Sequence, residues 1–231
     1  MPLQKPWDHT IDLKDTFKLK KGQIISLSSA EQEEVTAFLD DQLKKGYICP
    51  SKSPQMSLVF FIPKKDEKKR MVQDYCSLNK HMVKNNYPLL LIAQLTDELQ
   101  GAKLFTKIYL RWGYNNVCIK ENNEWKAAFT CFCRSFELLI MYFGLCNSPT
   151  TFQAIMNEIF TDMDDVVVVY IDDLMIFTKT ENQAEHDKIV LEVLRRLKEN
   201  DLFVNLKKCT FHATEVDFLG MIVGCDRIKM D

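Results

Sequence analysis

The chain has 231 residues, eight cysteines and a net charge of −2. That length allows one large domain or two modest subdomains with a real core, and the balanced charge removes the global basic signature of a nucleic-acid binder, so local charge has to make that case. The cysteines form no CxxC pair and no His-rich spacing, which argues against zinc; no N-terminal run resembles a signal peptide and no apolar segment is long enough to span a bilayer, so the expectation is an intracellular protein with reduced thiols.

Residues 1–23 are polar, with Pro2 and Pro6, and predict an extended N-terminal arm. Ser28 or Ser29 then caps a helix, with Glu31 or Gln32 three residues on. Val35, Phe38, Leu39 and Leu43 form its apolar stripe and Gly46 ends it. A loop over 49–54 precedes a strand at 58–63. Lys64, Lys65, Lys68, Lys69 and Arg70, interrupted by Asp66 and Glu67, lead into a second strand at 70–75, a hairpin with a basic tip. Charge runs are usually solvated turns, yet this one is the best phosphate-binding candidate in the chain. Residues 95–100 read as a short helix closed by Gly101.

The segment 105–120 starts as a strand and contains Gly113-Tyr114. Residues 125–129 and 136–143 are further strand candidates. Ser148 and Pro149 begin a helix as N-cap and first residue, with Phe152, Ile155, Met156, Ile159 and Phe160 on its buried face. In the stretch 166–177, two apolar β-prone runs flank Asp172 and Asp173, which predicts a tight hairpin with both acids at its tip. Runs without polar alternation suggest a sheet covered on both faces. Two acids there repel each other near low dielectric, and a divalent cation is a natural partner. The same residues also read as a solvated turn, because Asp is a common turn residue. Thr180 caps a helix through about Asn200, with Val190, Val193, Leu194 and Leu197 on one side. Phe203-Val204 and 216–223 are the last strands. Strands and helices mix without regular βαβ alternation, which predicts α+β: an antiparallel sheet with helices on one face.

Several blocks, in this order and spacing, resemble one family: 70–75 with Leu78-Asn79-Lys80; Tyr87-Pro88-Leu89; 110–114; 143–149 with Thr151-Phe152-Gln153; Tyr170-Ile171-Asp172-Asp173; and Phe218-Leu219-Gly220. Together they resemble the reverse transcriptase of gypsy-type LTR retrotransposons, over nearly the whole chain from about His9. The resemblance implies a right-hand polymerase of which fingers and palm are present and no thumb, with an antiparallel palm sheet backed by helices. After the 1–23 arm, fingers would cover 24–86 and 118–144 and palm 87–117 and 145–231. The chain would stop near the primer grip at Phe218, Leu219 and Gly220, leaving out the RNase H and integrase parts of a Pol polyprotein. Implied partners are an RNA or DNA template-primer and a dNTP, with no membrane. The implied location is cytoplasmic, in a virus-like particle or nuclear.

The family's reaction is nucleotidyl transfer with two Mg²⁺ ions. Asp172 and Asp173 match its metal-binding pair. The third carboxylate belongs at position 109, where this chain has Tyr109, and no acid lies between Lys103 and Lys120 to replace it. A phenol is a poor Mg²⁺ ligand, so the expectation is an RNA-directed DNA polymerase with activity at or near background; the alternative is a non-catalytic nucleic-acid-binding remnant. By resemblance, Arg70 and Lys64 or Lys65 would touch the triphosphate. Tyr114 would stack under the deoxyribose and exclude a 2′-hydroxyl, or serve as a core aromatic. Phe143 and Gly144 would line the nucleotide pocket, with Gln153 nearby facing the template. Lys208 would protonate pyrophosphate or be a surface lysine. Leu58, Leu90, Leu138 and Leu206 stand where the family usually shows Pro, Glu67, Arg134 and Arg227 where it shows Gly, and Cys76 and Cys133 where it shows Arg. This pattern suggests a decaying copy, and Arg134 would be severe if its backbone needs a positive φ.

Overall fold

The computed structural model describes residues 2–20, 25–63, 69–88, 95, 97–132, 134–225 and 227–230. Its strands are β1 (Ile48–Pro50), β2 (Ser57–Pro63), β3 (Lys69–Asp74), β4 (Leu104–Tyr109), β5 (Phe129–Thr130), β6 (Ser135–Leu138), β7 (Val167–Tyr170), β8 (Asp173–Thr178), β9 (Thr210–Ala213), β10 (Glu215–Phe218), β11 (Met221–Gly224) and β12 (Arg227–Met230). The helices described along their whole length are α1 (Ser29–Lys44), α2 (Cys76–His81), α3 (Ser148–Ile159) and α4 (Gln183–Glu199), and residues 95, 97 and 98 are helical as well. They form two units, one of Met1–Asn85 with Tyr114–Ser148 and one of Asn86–Gly113 with Pro149–Asp231. Among the described residues no helix is long and apolar enough to cross a membrane.

In the first unit, α1 starts at a capping box. Ser28 Oγ accepts from the Glu31 N–H at 3.4 Å, and Glu31 Oε2 accepts from the Ser28 N–H at 2.9 Å, so two otherwise orphaned donors are satisfied. We expect Ser28→Ala to lower unfolding stability by about 1 kcal/mol in a urea titration. Val35 and Leu39 are buried as expected, but Leu43 is exposed and Gln42 takes the buried position. The reason is helical phase: positions 35, 39 and 42 stay on one face, and 43 is a step round from it.

A five-stranded sheet runs β1-β6-β5-β2-β3, antiparallel except where β2 meets β5. Its core includes Tyr75, Leu78, Phe129, Phe136 and Leu138, joined by Ile11 from the N-terminal segment. The expected strand at 125–129 is instead a 3-10 turn over Glu124–Ala127 followed by the short β5. The expected strand at 136–143 stops at Leu138, because its partner β1 begins at Ile48, the residue opposite. The backbone angle φ of Arg134 depends on Cys133, so the question raised there lies outside the described residues. Lys64, Lys65 and Glu67 of the basic tip, together with Leu90 and Cys133, lie outside the described residues.

The second unit holds an all-antiparallel sheet of order β7-β8-β4-β9 and a three-stranded sheet β10-β11-β12. Leu95, Phe105, Met175, Phe177, Phe218 and Val223 make its core. Helix α4 is capped by Asn182 and not by Thr180: Asn182 Oδ1 accepts from the Ala184 N–H at 3.1 Å, while the Thr180 hydroxyl bonds Glu185. Asn stands directly before the first turn, within reach of its free N–H groups. Buried His186 ties α4 to the sheet, with its ring nitrogens 2.8 Å from Thr106 Oγ1 and 3.1 Å from Thr178 Oγ1. Ser148 is the first residue of α3, and its hydroxyl donates to the Tyr142 carbonyl at 3.1 Å. The Phe203-Val204 strand reduces to one bridge, Leu110 with Val204. Residues 216–223 fold into a hairpin whose turn, Leu219-Gly220, has φ 55° and 74°, as a two-residue turn of the hairpin type requires.

Candidate functional site

Buried β7 and β8 carry the two acids to one end of the four-stranded sheet. Tyr170 pairs with Asp173, leaving Ile171 and Asp172 as the turn. Ile171 has φ 56°, a costly conformation for a β-branched residue. Gln153 of α3 holds it there. Gln153 Oε1 accepts from the Ile171 N–H at 2.9 Å, and Nε2 donates to the Val169 carbonyl at 2.9 Å and to Asn157 Oδ1 at 2.8 Å. The residue expected to face a template is therefore completely buried, and its amide clamps the hairpin tip instead.

Asp172 Oδ1 and Asp173 Oδ1 are buried and accept no hydrogen bond from the protein's described groups. Burial, then the charge of Asp173, pushes the Asp172 carboxyl up to about 6, with Lys208 opposing. Burial also raises Asp173, against Lys107 and Lys208, while Asp217 adds to the rise. Lys107 Nζ lies 3.9 Å from Asp173 Oδ2 and donates to the Asp217 carbonyl at 2.9 Å. Gly113 is required beside the pair: a Cβ there would come within 2.8 Å of Asp172 Oδ1 and 2.9 Å of Phe152 Cζ.

The raised Asp172 sets a pH dependence. In chelator, its contribution to stability is fully present below the unfolded carboxyl value of about 4 and is lost as pH rises through about 6, where folding must bury the charge. We expect urea midpoints to fall across that interval, and Asp172→Asn to flatten the fall.

Tyr109 ends β4 directly opposite Asp173 in the ladder. Its carbonyl accepts from the Asn205 N–H at 2.9 Å, and the Lys208 ammonium stands 4.2 Å from its ring centroid, within cation–π range. Lys208 belongs to a 3-10 turn, Leu206–Lys208. Sequence reasoning missed Lys107 and Asp217. Lys107 had a signal, since it lies two residues before Tyr109 and so on the same strand face; Asp217 arrives from a distant hairpin and had none.

In the first unit, the buried Tyr114 ring packs 4.7 Å from that of Phe143, which is 52% exposed. Gly144 has φ 100° and its carbonyl accepts from Asn79 Nδ2 at 2.7 Å. Arg70 sits in β3 opposite Ile62. In the second unit, Phe218 is fully buried, with Leu219 and Gly220 in the adjoining turn.

The reverse transcriptase (RNA-dependent DNA polymerase) family matches residues 62–223. The chain is 40% identical over 195 residues to the Transposon Tf2-3 polyprotein and equally to the Transposon Tf2-7 polyprotein, both of Schizosaccharomyces pombe (strain 972 / ATCC 24843). Each match covers 84% of this chain and 14% of the polyprotein. A foamy viral protease-reverse transcriptase in complex with RNA/DNA hybrid superposes with a TM-score of 0.86 at 25% identity, over 96% of this chain and 30% of that one. A foamy viral protease-reverse transcriptase in complex with dsDNA superposes at 0.78 with 28% identity, over 96% and 44% of the two chains.

Proposed function

Because this chain belongs to the reverse transcriptase (RNA-dependent DNA polymerase) family, we propose that it is a gypsy-type reverse transcriptase domain whose nucleotidyl transfer is at or near background. Its α+β fold is that of reverse transcriptase fingers and palm. We assign the fingers to the first unit and the palm to the second. The substrates in this reading are an RNA or DNA template-primer and a dNTP; the first is supported by the foamy viral enzymes, which are in complex with RNA/DNA hybrid and with dsDNA.

The observation that carries the loss of activity is the phenol of Tyr109 opposite Asp173. Orphaned oxygens on Asp172 and Asp173 are what a cation would require, but the remaining donors do not fit the two Mg²⁺ ions the family implies. A phenol stands where the third carboxylate belongs. Two ammonium groups, Lys107 and Lys208, already act on the acidic pair, and in a poorly solvated site they oppose added positive charge. Among the described residues no group of three His, Cys, Asp or Glu side chains could hold a metal.

The test is extension of a primer on an RNA template, with Mg²⁺ and separately with Mn²⁺. The expected result is no product above a protein-free control; copying by the unaltered chain would overturn the reading. A second reading, non-catalytic nucleic-acid binding, is favoured by exposed Arg111, Lys207 and Lys208 near the exposed rings of Trp112 and Phe203.

A further inference from the structure

Past the acidic tip, β4 continues into a short ribbon within the second unit. Leu110 bridges Val204, the Arg111 N–H donates to the Phe203 carbonyl at 2.6 Å, and the Asn205 N–H donates to the Tyr109 carbonyl at 2.9 Å. In this antiparallel pairing Arg111 lies opposite Phe203, and side chains at 109, 111 and 203 share one face. Lys208 is on that face too, with its ammonium over the Tyr109 ring.

The ribbon leaves large apolar groups in water. Phe203 is 61% exposed, Leu206 71% and Trp112 59%. Trp112 also has φ 57°, a strained conformation for a bulky side chain, and strain of this kind concentrates at functional positions. Three cations, Arg111, Lys207 and Lys208, neighbour these side chains along the chain and are exposed.

We propose that this ribbon is a binding surface for single-stranded nucleic acid, with bases stacking on Trp112 and Phe203 and backbone phosphates following Arg111, Lys207 and Lys208. Rings offer faces that any unstacked base can cover, and cations track the chain of phosphates without reading sequence. A duplex keeps its base faces stacked inside, so a single strand is the better fit. The proposal rests on the second reading above, that the chain binds nucleic acid, and requires no catalysis.

The experiment is fluorescence anisotropy on the whole chain with two labelled probes, an oligothymidylate of about a dozen nucleotides and an abasic strand of the same length. Oligothymidylate is expected to bind roughly tenfold more tightly than the abasic strand. Trp112→Leu and Phe203→Leu should each shrink that preference, with circular dichroism confirming the fold. Lys207→Gln should weaken both probes alike and reduce the salt slope by about one. Equal affinity for the two probes, or an unchanged preference in both leucine variants, overturns the stacking surface while leaving nucleic-acid binding in place. Failure of both probes to bind overturns the surface and the binding reading together. Neither result bears on primer extension, which tests the catalytic reading separately.

Discussion

Tyr109→Asp is expected to raise primer extension from background by at least about a hundredfold, the scale on which removing one preorganised charged or dipolar group from a dry active site lowers a rate. The ladder register puts position 109 across from Asp173, so the new carboxylate would complete an acidic cluster with Asp172 and Asp173. It would also remove the ring on which Lys208 rests and give that ammonium an anion to face. Tyr109→Asn is the control, with a similar gain of space and no charge. It should stay at background. Mn²⁺ binding followed by electron paramagnetic resonance gives a second readout, rising for Tyr109→Asp alone. Equal activity in the two variants would mean that bulk, and not charge, disables the site.

Gln153→Leu is expected to cost about 2–3 kcal/mol of unfolding stability, because it strands two backbone groups, the buried Val169 carbonyl and the part-buried Ile171 N–H. Leucine fills much the same volume, so little of the loss would come from a cavity. The effect should be local as well as global. Amide hydrogen exchange at Ile171 should accelerate more than at Met175, deep in β8. A urea midpoint unchanged from the parent would show that the clamp holds nothing. Combined with Tyr109→Asp, the same substitution should erase regained activity, because Ile171 is held at a φ it would otherwise leave and Asp172 follows it in the turn.

Much of the hairpin was legible before any coordinates. Four valines, two acids and a second apolar run admit few alternatives to two buried strands with the acids between them. The Ser28–Glu31 box was equally plain, since its bonds join residues three apart. Thr180 and Asn182 are both acceptable caps, and the choice falls to the side chain nearest the free N–H groups. Residues 125–129 are apolar enough for a strand, yet their first residues close a local turn, with the Ala128 N–H bonded to the Trp125 carbonyl. Gln153 carried no mark of its task, because a glutamine on a helix looks the same whether its amide meets a template or a buried turn.

By itself the sequence determined the Asp172–Asp173 hairpin, the capping box of α1 and the apolar faces of the long helices, and that Tyr109 stands where the family resemblance leads one to expect an acid. Those features depend on the spacing of apolar residues and on bonds between near neighbours along the chain. Only the tertiary structure decided that Lys107, Asp217 and Lys208 surround the acids, that Gln153 grips their turn, and that Arg111 lies beside Phe203. These contacts join residues remote in sequence. They follow from strand register and from the packing of helix on sheet, which are set by the whole buried surface at once and leave no periodic trace in any one segment.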